Sequence, residues 1–200
     1  MKRLSSSLFL AALLLLLVSS GVAKESWPPV LDMPYPNLKL LNQDGKLTEL
    51  AQFKGKVILI EPIGMTCSAC NAFADTGGAG GIGGAAQQQG LPSFHKLAKD
   101  YGRVTLPSQD VVVVHLLLYN AQMKPPTLAD AKAWSKHFGL STFDNEYVLV
   151  GKKEHQVYEL VPGFQLVDRE FRLVSDSSGH NPKNDLYKHL FPKLGALVNR

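Results

Sequence analysis

Residues 55–70 constrain the fold of this chain more than any other stretch, because they join an apolar run to the only two cysteines in the sequence. Residues 57–60 are continuously apolar, which is typical of a strand buried on both faces of a sheet. Cys67 and Cys70 follow after a short turn, with two residues between them. Two thiols at this spacing can close a disulfide or hold a soft metal ion. The sequence therefore predicts a reactive turn at the end of a central strand and leaves both chemistries open.

The first residues have the pattern of an export signal. Lys2 and Arg3 precede an apolar run at residues 8–18, and small residues follow at 21–23. The run is shorter than the roughly 20 residues that a membrane-spanning helix needs. We expect residues 1–23 to be a cleaved signal peptide, the alternative being an uncleaved N-terminal anchor. The remaining residues 24–200 then form one domain, periplasmic or secreted and without stable membrane insertion.

The charge balance excludes one class of partner. Loss of Lys2 and Arg3 lowers the formal charge from +4 to +2, and the basic residues are spread along the chain without a run. We therefore expect no nucleic acid as a partner. The spacing of the two cysteines favours a reactive pair over a structural disulfide. Structural disulfides of exported proteins stabilise chiefly by closing long loops, and this pair encloses only two residues.

Strands and helices alternate along the rest of the chain, which predicts an α/β protein. The Asp44-Gly45 pair is a hairpin signal between two short apolar segments. Thr127 is a plausible N-cap of the third helix, and Gly139 lies just past its end. The predicted strands are 37–41, 46–50, 57–60, 110–119, 146–150, 156–160, 164–168 and 170–174, and the predicted helices are 68–75, 92–101, 128–138 and 184–197.

A glycine-rich and glutamine-rich insertion at residues 77–90 interrupts this alternation. Six of the eight residues 77–84 are glycine, and each costs a helix roughly 1 kcal/mol relative to alanine. We expect an irregular segment here. The simpler interpretation is a passive surface loop, and the functional one is a mobile flap beside the thiols.

The order of these features resembles the exported thioredoxin-like proteins, in particular the TlpA-like thiol-disulfide oxidoreductases of the AhpC/TSA and redoxin superfamily. The resemblance is carried by the segment 34–40, the hairpin at Asp44-Gly45, the segment 53–56, the apolar strand with Cys67-x-x-Cys70, and Val161-Pro162 six residues before Asp168. It implies a thioredoxin fold with an N-terminal β-hairpin extension and a central mixed sheet covered by helices. It also implies thiol-disulfide exchange with protein thiols or disulfides and no cofactor.

The resemblance assigns roles to four residues. Cys67, at the start of a helix, is expected to be the attacking thiol, because backbone N–H groups and the helix dipole lower a thiol pKa there. Cys70 is then the resolving thiol. Pro162 is expected to be a cis-proline that faces the cysteines and contacts the substrate chain. Glu61, six residues before Cys67, is either a buried acid that exchanges a proton with Cys70 or an ordinary glutamate at a strand end that reaches solvent.

Copper binding is the alternative function for the same pair. The segment 64–70 resembles the copper loop of heavy-metal-associated domains, so Cys67 and Cys70 are also candidate Cu(I) ligands of a chaperone or metallo-maturation protein. A Sco-type site would need one more residue between the cysteines and a later histidine than His155. The peroxiredoxin motif would place its cysteine where this chain has Ala69, so no peroxidase is predicted. The histidines show no metal-ligand spacing, and His115 is expected to be a core or edge residue with a satisfied ring nitrogen.

Overall fold

A computed structural model describes residues 27–159, 161–177 and 185–199. The predicted signal peptide lies outside these residues, so its cleavage stays a prediction. Seven strands are present in the described part of the chain: β1 (Lys39–Leu41), β2 (Leu47–Glu49), β3 (Val57–Gly64), β4 (Val111–Tyr119), β5 (Glu146–Val150), β6 (Phe164–Val167) and β7 (Leu173–Ser177). β1 and β2 form the predicted hairpin, and the others form a mixed sheet in the order β5-β4-β3-β6-β7. β3, β4 and β5 are parallel, β6 runs antiparallel to β3, and β7 runs antiparallel to β6.

Helices cover one face of the sheet, and the N-terminal segment covers the other. The helices are α1 (Ser68–Ala74), α2 (Phe94–Gly102), α3 (Leu128–Phe138) and α4 (Phe191–Val198). Their buried side chains share one core with the odd-numbered positions 57, 59 and 63 of β3. The even-numbered positions 58 and 60 pack on the opposite face with Tyr35, Leu50 and Phe53. This alternation follows from the period of two in a strand, and it confirms the predicted fold class.

The N-terminal segment also lies along both edges of the sheet. The Gln43 side chain donates to Glu146 O at 2.8 Å and accepts from Val148 N at 2.8 Å, which satisfies the outer edge of β5. At the other edge, Asp32 N donates to Leu173 O at 2.7 Å, where β7 begins. The backbone hydrogen bonds that edge strands would otherwise leave open are thus partly occupied from within the chain.

Local side-chain chemistry confirms the predicted third helix. Thr127 Oγ1 accepts from Asp130 N at 3.3 Å, and Asp130 Oδ2 accepts from Thr127 N at 2.7 Å, so a reciprocal capping box begins α3. Gly139 ends it with φ 70°, a left-handed conformation that costs glycine little.

Two predicted strands differ from the structure. The strand predicted at 156–160 is absent over residues 156–159, and residue 160 lies outside the described residues. A 3-10 turn at Lys153–His155 is followed by irregular chain, in which Gln156 Nε2 donates to Tyr158 O at 2.9 Å. The strand predicted at 170–174 begins later, at Leu173. The reason is a wide turn after Val167, in which Asp168 N donates to Arg172 O at 2.9 Å and Phe171 adopts φ 67°.

The C-terminal helix has an unexpected first turn. Leu186–Leu190 is a π-helical turn that leads directly into α4. Asp185 caps it, because its Oδ1 accepts from Tyr187 N at 2.9 Å and from Lys188 N at 2.7 Å. The predicted start at Asn184 lies outside the described residues. No helix within the described part of the chain is long and apolar enough to cross a membrane.

Candidate thiol site

The two cysteines lie where the central strand meets the first helix. β3 ends at Gly64, and Cys67 N donates to Gly64 O at 3.1 Å across the turn that follows. Cys67 is the N-cap residue of α1, and its Sγ accepts from Cys70 N at 3.3 Å. Cys67 is partly exposed, whereas Cys70 has no exposed surface, and both are unbridged. One thiol therefore faces the solvent, and the other lies beneath it.

The surroundings shift the two thiol pKa values in opposite directions. A hydrogen bond from the Cys70 thiol lowers the pKa of Cys67, and the N–H groups of Cys70 and Ala69 add to this against the effects of burial and of Glu61. Burial raises the pKa of Cys70 well above its usual range, and the bond to Cys67 and the charge of Glu61 raise it further. Cys67 is thus the thiol that ionises first, which is the property of an attacking nucleophile.

Gly64 allows an aromatic ring to approach the turn. A Cβ atom at this position would lie 1.8 Å from the Tyr119 ring, so no larger residue fits without displacing the ring. Burial, followed by the charges of Cys70 and Cys67, raises the pKa of Tyr119 to about 12, so its hydroxyl stays protonated at neutral pH. The segment that resembles a copper loop therefore has a packing reason for its glycine.

Glu61 is buried within electrostatic reach of both thiols and lies against His115. Strand alternation places it on the helix-covered face, between Leu59 and Ile63, and its residue surface is 1% exposed. This burial excludes the alternative interpretation of Glu61 as a strand-end glutamate that reaches solvent. Burial raises the pKa of Glu61, and its contact with His115 lowers it in part. His115 is fully buried at the paired position on β4.

The Glu61–His115 contact is close but poorly aligned. His115 Nδ1 lies 3.2 Å from Glu61 Oε2, yet the direction of the N–H group does not meet the carboxylate well enough for a hydrogen bond. Within the described residues, neither nitrogen of the His115 ring has another hydrogen-bond partner. The expectation of a satisfied ring nitrogen is therefore wrong. The two groups form a buried polar contact in an otherwise apolar core that includes Phe94 and Trp134.

Pro162 lies across from the helix start, as predicted. The Val161–Pro162 peptide bond is cis, which confirms the predicted isomer. Cys67 Sγ donates to Val161 O at 3.3 Å, so the loop that precedes β6 touches the exposed thiol. The structure thus brings together Cys67, Cys70, Glu61 and Pro162.

Asn71 joins the thiol turn to the glycine-rich insertion. It is fully buried in α1, and its Nδ2 donates to Met65 O at 3.0 Å and to Cys67 O at 2.8 Å. Its Oδ1 accepts from Ile82 N at 2.9 Å. A single side chain therefore holds both the backbone of Cys67 and the middle of the insertion.

The insertion is fastened to α1 at two further points. Asp75 Oδ1 accepts from Gly78 N at 2.6 Å, and Gln88 N donates to Ser68 O at 3.1 Å. Partial burial raises the pKa of Asp75, but the hydrogen bonds from Gln87 and from the backbone of residues 78–80 lower it more. The insertion is irregular, as expected, and it packs against the helix that carries the thiols.

The sequence did not point to Asn71, His115 as a partner of Glu61, or Met123. Thr66 Oγ1 donates to Met123 Sδ at 3.2 Å, which brings a thioether beside the thiol turn from 57 residues away. One feature of the sequence could have pointed to Asn71, because a residue four positions after Cys67 lies one helical turn from it. No group of three or more His, Cys, Asp or Glu side chains in the described residues is placed to hold a metal ion.

Comparisons with known proteins identify the fold. No family model matches the chain, and no curated protein matches it. Among solved structures, the thioredoxin domain of a thiol-disulfide oxidoreductase from Bacteroides vulgatus has a TM-score of 0.53 and 15% identity, over 85% of this chain and 99% of that one. A thiol:disulfide interchange protein of the thioredoxin family from Chlorobium tepidum has a TM-score of 0.52 and 15% identity, over 84% and 97%.

A third similar structure comes from the Sco proteins. BsSco, a member of the Sco family of cytochrome c oxidase assembly proteins, has a TM-score of 0.53 and 18% identity, over 84% of this chain and 95% of that one. The similar structures are thus thioredoxin-like proteins of the thiol-disulfide oxidoreductase and Sco types. This chain has the thioredoxin-like α/β fold, with a separate N-terminal hairpin.

Proposed function

We propose that this protein exchanges disulfides with protein partners through Cys67 and Cys70, in an exported compartment. The observation that carries the proposal is the opposite placement of the two thiols, since Cys67 is partly exposed at the start of α1 and Cys70 is buried beneath it. The similarity to thiol-disulfide oxidoreductases supports it, as does the signal pattern at residues 1–23. A disulfide switch has also been identified in BsSco.

The exchange proceeds in two steps. The Cys67 thiolate attacks one sulfur of a partner disulfide, a Cys67–partner disulfide forms, and the second partner sulfur leaves as a thiolate. Cys70 then loses its proton and attacks the Cys67 sulfur. The Cys67–Cys70 disulfide forms, and the first partner sulfur leaves as a thiolate. The pair has lost two electrons, the partner disulfide has gained them, and the reverse sequence oxidises a partner dithiol.

Changing Cys70 to serine is expected to trap partners on Cys67. The first step stays available in Cys70→Ser, but no thiol remains beneath the mixed disulfide to release it. Non-reducing gels of cell extracts that contain the variant should show adducts that disappear on reduction. Cys67→Ser is the control and should show none. An absence of adducts, together with no faster reaction of Cys67 than of free cysteine with a small disulfide, would refute the proposal.

Cu(I) binding by the same pair is a second candidate, favoured by the thioether of Met123. Met123 is 65% exposed and lies beside Thr66, in the same cleft as Cys67. Thiolate and thioether sulfurs are the ligands that Cu(I) prefers. Cys67 and Cys70 would hold the ion, and Met123 offers an exposed third sulfur in the same cleft.

Cu(I) titration of the reduced protein against a competing chelator tests this candidate. We expect one ion per chain, weaker binding in Met123→Leu and none above background in Cys67→Ser. Leucine keeps the size and apolar character of methionine but offers no sulfur. An affinity no higher than that of a small dithiol would exclude a copper carrier.

A further inference from the structure

Cys67 lies at the junction of two clefts. The lysine-side cleft, about 570 Å³, is lined by Leu118, Tyr119, Met123, Lys124, Pro125 and Lys153 together with the thiol turn. The insertion-side cleft, about 280 Å³, is lined by Phe73, Gln88, Leu91, Pro162, Leu186 and Tyr187. Cys67, Ser68 and Val161 line both. The two clefts therefore form one groove that passes over the exposed thiol.

The glycine-rich insertion borders this groove through one residue. Gln88 enters the lining directly, and its position is set by the bond from its N–H to Ser68 O at 3.1 Å. Asn71 holds the preceding part of the insertion through Ile82 N at 2.9 Å. Apart from Cys67 itself, no residue that lines the insertion-side cleft carries a charged side chain. An uncharged, apolar side chain suits this cleft, because a charged one would lose its hydration there without a partner.

The opposite end of the groove has an unbalanced positive charge. Lys124 and Lys153 are both exposed, and neither forms an ion pair with any residue that the structure describes. Glu159 is the single acid in the cleft lining. Lys124 lies on a loop held by Asn120, whose Oδ1 accepts from Lys124 N at 3.0 Å. This end of the groove is therefore suited to an acidic side chain.

The geometry points to an extended polypeptide segment as the occupant of this groove, with its cysteine over Cys67, an apolar side chain in the insertion-side cleft and an acidic side chain near Lys124 and Lys153. The inference rests on the proposed exchange reaction and adds the class of partner segment to it. It also assigns a function to the insertion, whose Gln88 selects the residue beside the partner cysteine.

Short peptides activated as mixed disulfides with 4-thiopyridine test the inference in single turnovers. The Cys67 thiolate attacks the peptide sulfur, the Cys67–peptide disulfide forms, and thiopyridine leaves and is measured by its absorbance. The peptides carry leucine on one side of cysteine and aspartate on the other, in both orders, with lysine in place of aspartate as the comparison. Every rate is divided by the rate with 4,4′-dithiodipyridine, an uncharged reference that cancels changes in the reactivity of Cys67.

We expect the better aspartate peptide to react about fivefold faster than its lysine counterpart, a difference of about 1 kcal/mol, which is the order of magnitude that two exposed ion pairs give together. The double variant Lys124→Glu/Lys153→Glu should reverse this preference. Lys132→Glu, a charge reversal at an exposed position of α3 outside the cleft lining, should retain the preference. Gln88→Glu should slow the leucine peptides severalfold, and Gln89→Glu, one residue away and outside the lining, should not.

Different results would contradict the groove inference and the exchange reaction on which it rests. Equal normalised rates for all peptides, or equal effects of Gln88→Glu and Gln89→Glu, would overturn the groove inference while the reference reaction still supports exchange. A reference rate no higher than that of free cysteine, with no adduct in Cys70→Ser, would overturn the exchange reaction itself. Reversal by the lysine variants together with the Gln88 effect supports both.

Discussion

Changing Glu61 to glutamine is expected to slow the release of a partner from Cys67 about 100-fold, with the capture step changed only severalfold. Burial raises the pKa of Cys70 above its usual range, so this thiol needs a base before it can attack. Glu61 is the buried carboxylate near it, and a positioned general base contributes roughly 10²- to 10⁴-fold. Loss of the Glu61 charge would itself ease ionisation of Cys70, but loss of the base has the larger effect.

Stopped-flow measurements on a preformed Cys67–glutathione disulfide isolate the release step. Because burial also raises the pKa of Glu61, this carboxyl accepts a proton only after it has ionised, and the wild-type release rate should rise with pH through that raised pKa. Glu61→Gln should lack this part of the pH profile. Glu170→Gln removes an exposed acid that lies outside both cleft linings and is the matched control. Equal release rates and pH profiles for wild type and Glu61→Gln would show that Glu61 is not the base.

Changing His115 alone to leucine is expected to lower the free energy of unfolding by about 3 kcal/mol at pH 7, because it leaves the buried carboxyl group of Glu61 without its polar partner. Changing both Glu61 and His115 to leucine should restore the wild-type stability or exceed it by about 1–4 kcal/mol, as for other buried polar pairs replaced by apolar residues. Chemical denaturation of the wild type, both single variants and the double variant gives the coupling between the two positions.

The pH dependence of these differences has a defined sign. The pKa of Glu61 is raised in the folded protein above its ordinary value of 4.5. Protonated Glu61 therefore contributes fully to the free energy of unfolding at a pH below its pKa in the unfolded chain. That contribution is lost as the pH rises through the higher pKa of Glu61 in the folded protein. The stability of the double leucine variant relative to the wild type should therefore be greatest at neutral pH and shrink toward pH 4. Additive single-variant effects would contradict a coupled pair.

Local signals account for the parts of the fold that the sequence predicted well. The apolar run before the thiols, the Asp44-Gly45 turn and the Thr127 cap each act within a few residues, and each element begins within two residues of its predicted start, although β3 continues past the predicted end at residue 60 to Gly64. The start of the strand after Val167 was predicted too early, because the turn that precedes it contains Phe171 at φ 67°. Phenylalanine rarely adopts this conformation, so the sequence does not indicate a turn there.

Long-range contacts account for most of what was missed at the site. Cys67, Cys70, Glu61 and Pro162 could be named from spacing and from resemblance to a known family. The contact of Thr66 with Met123 and that of Glu61 with His115 depend on which strands and loops become neighbours in the sheet. The role of Asn71 depends on an irregular segment whose path no periodicity predicts.

The edge bonds made by the N-terminal segment protect the sheet against pairing with a second chain. The proposed cleavage after residue 23 would leave both Asp32, beside the beginning of β7, and Gln43, beside β5, on the chain. Trimming beyond residue 35 would remove the segment that pairs with residues 171–173 and expose that sheet edge to a second chain. Residues 32–35 therefore decide whether this edge of the sheet stays protected against strand-to-strand polymerisation.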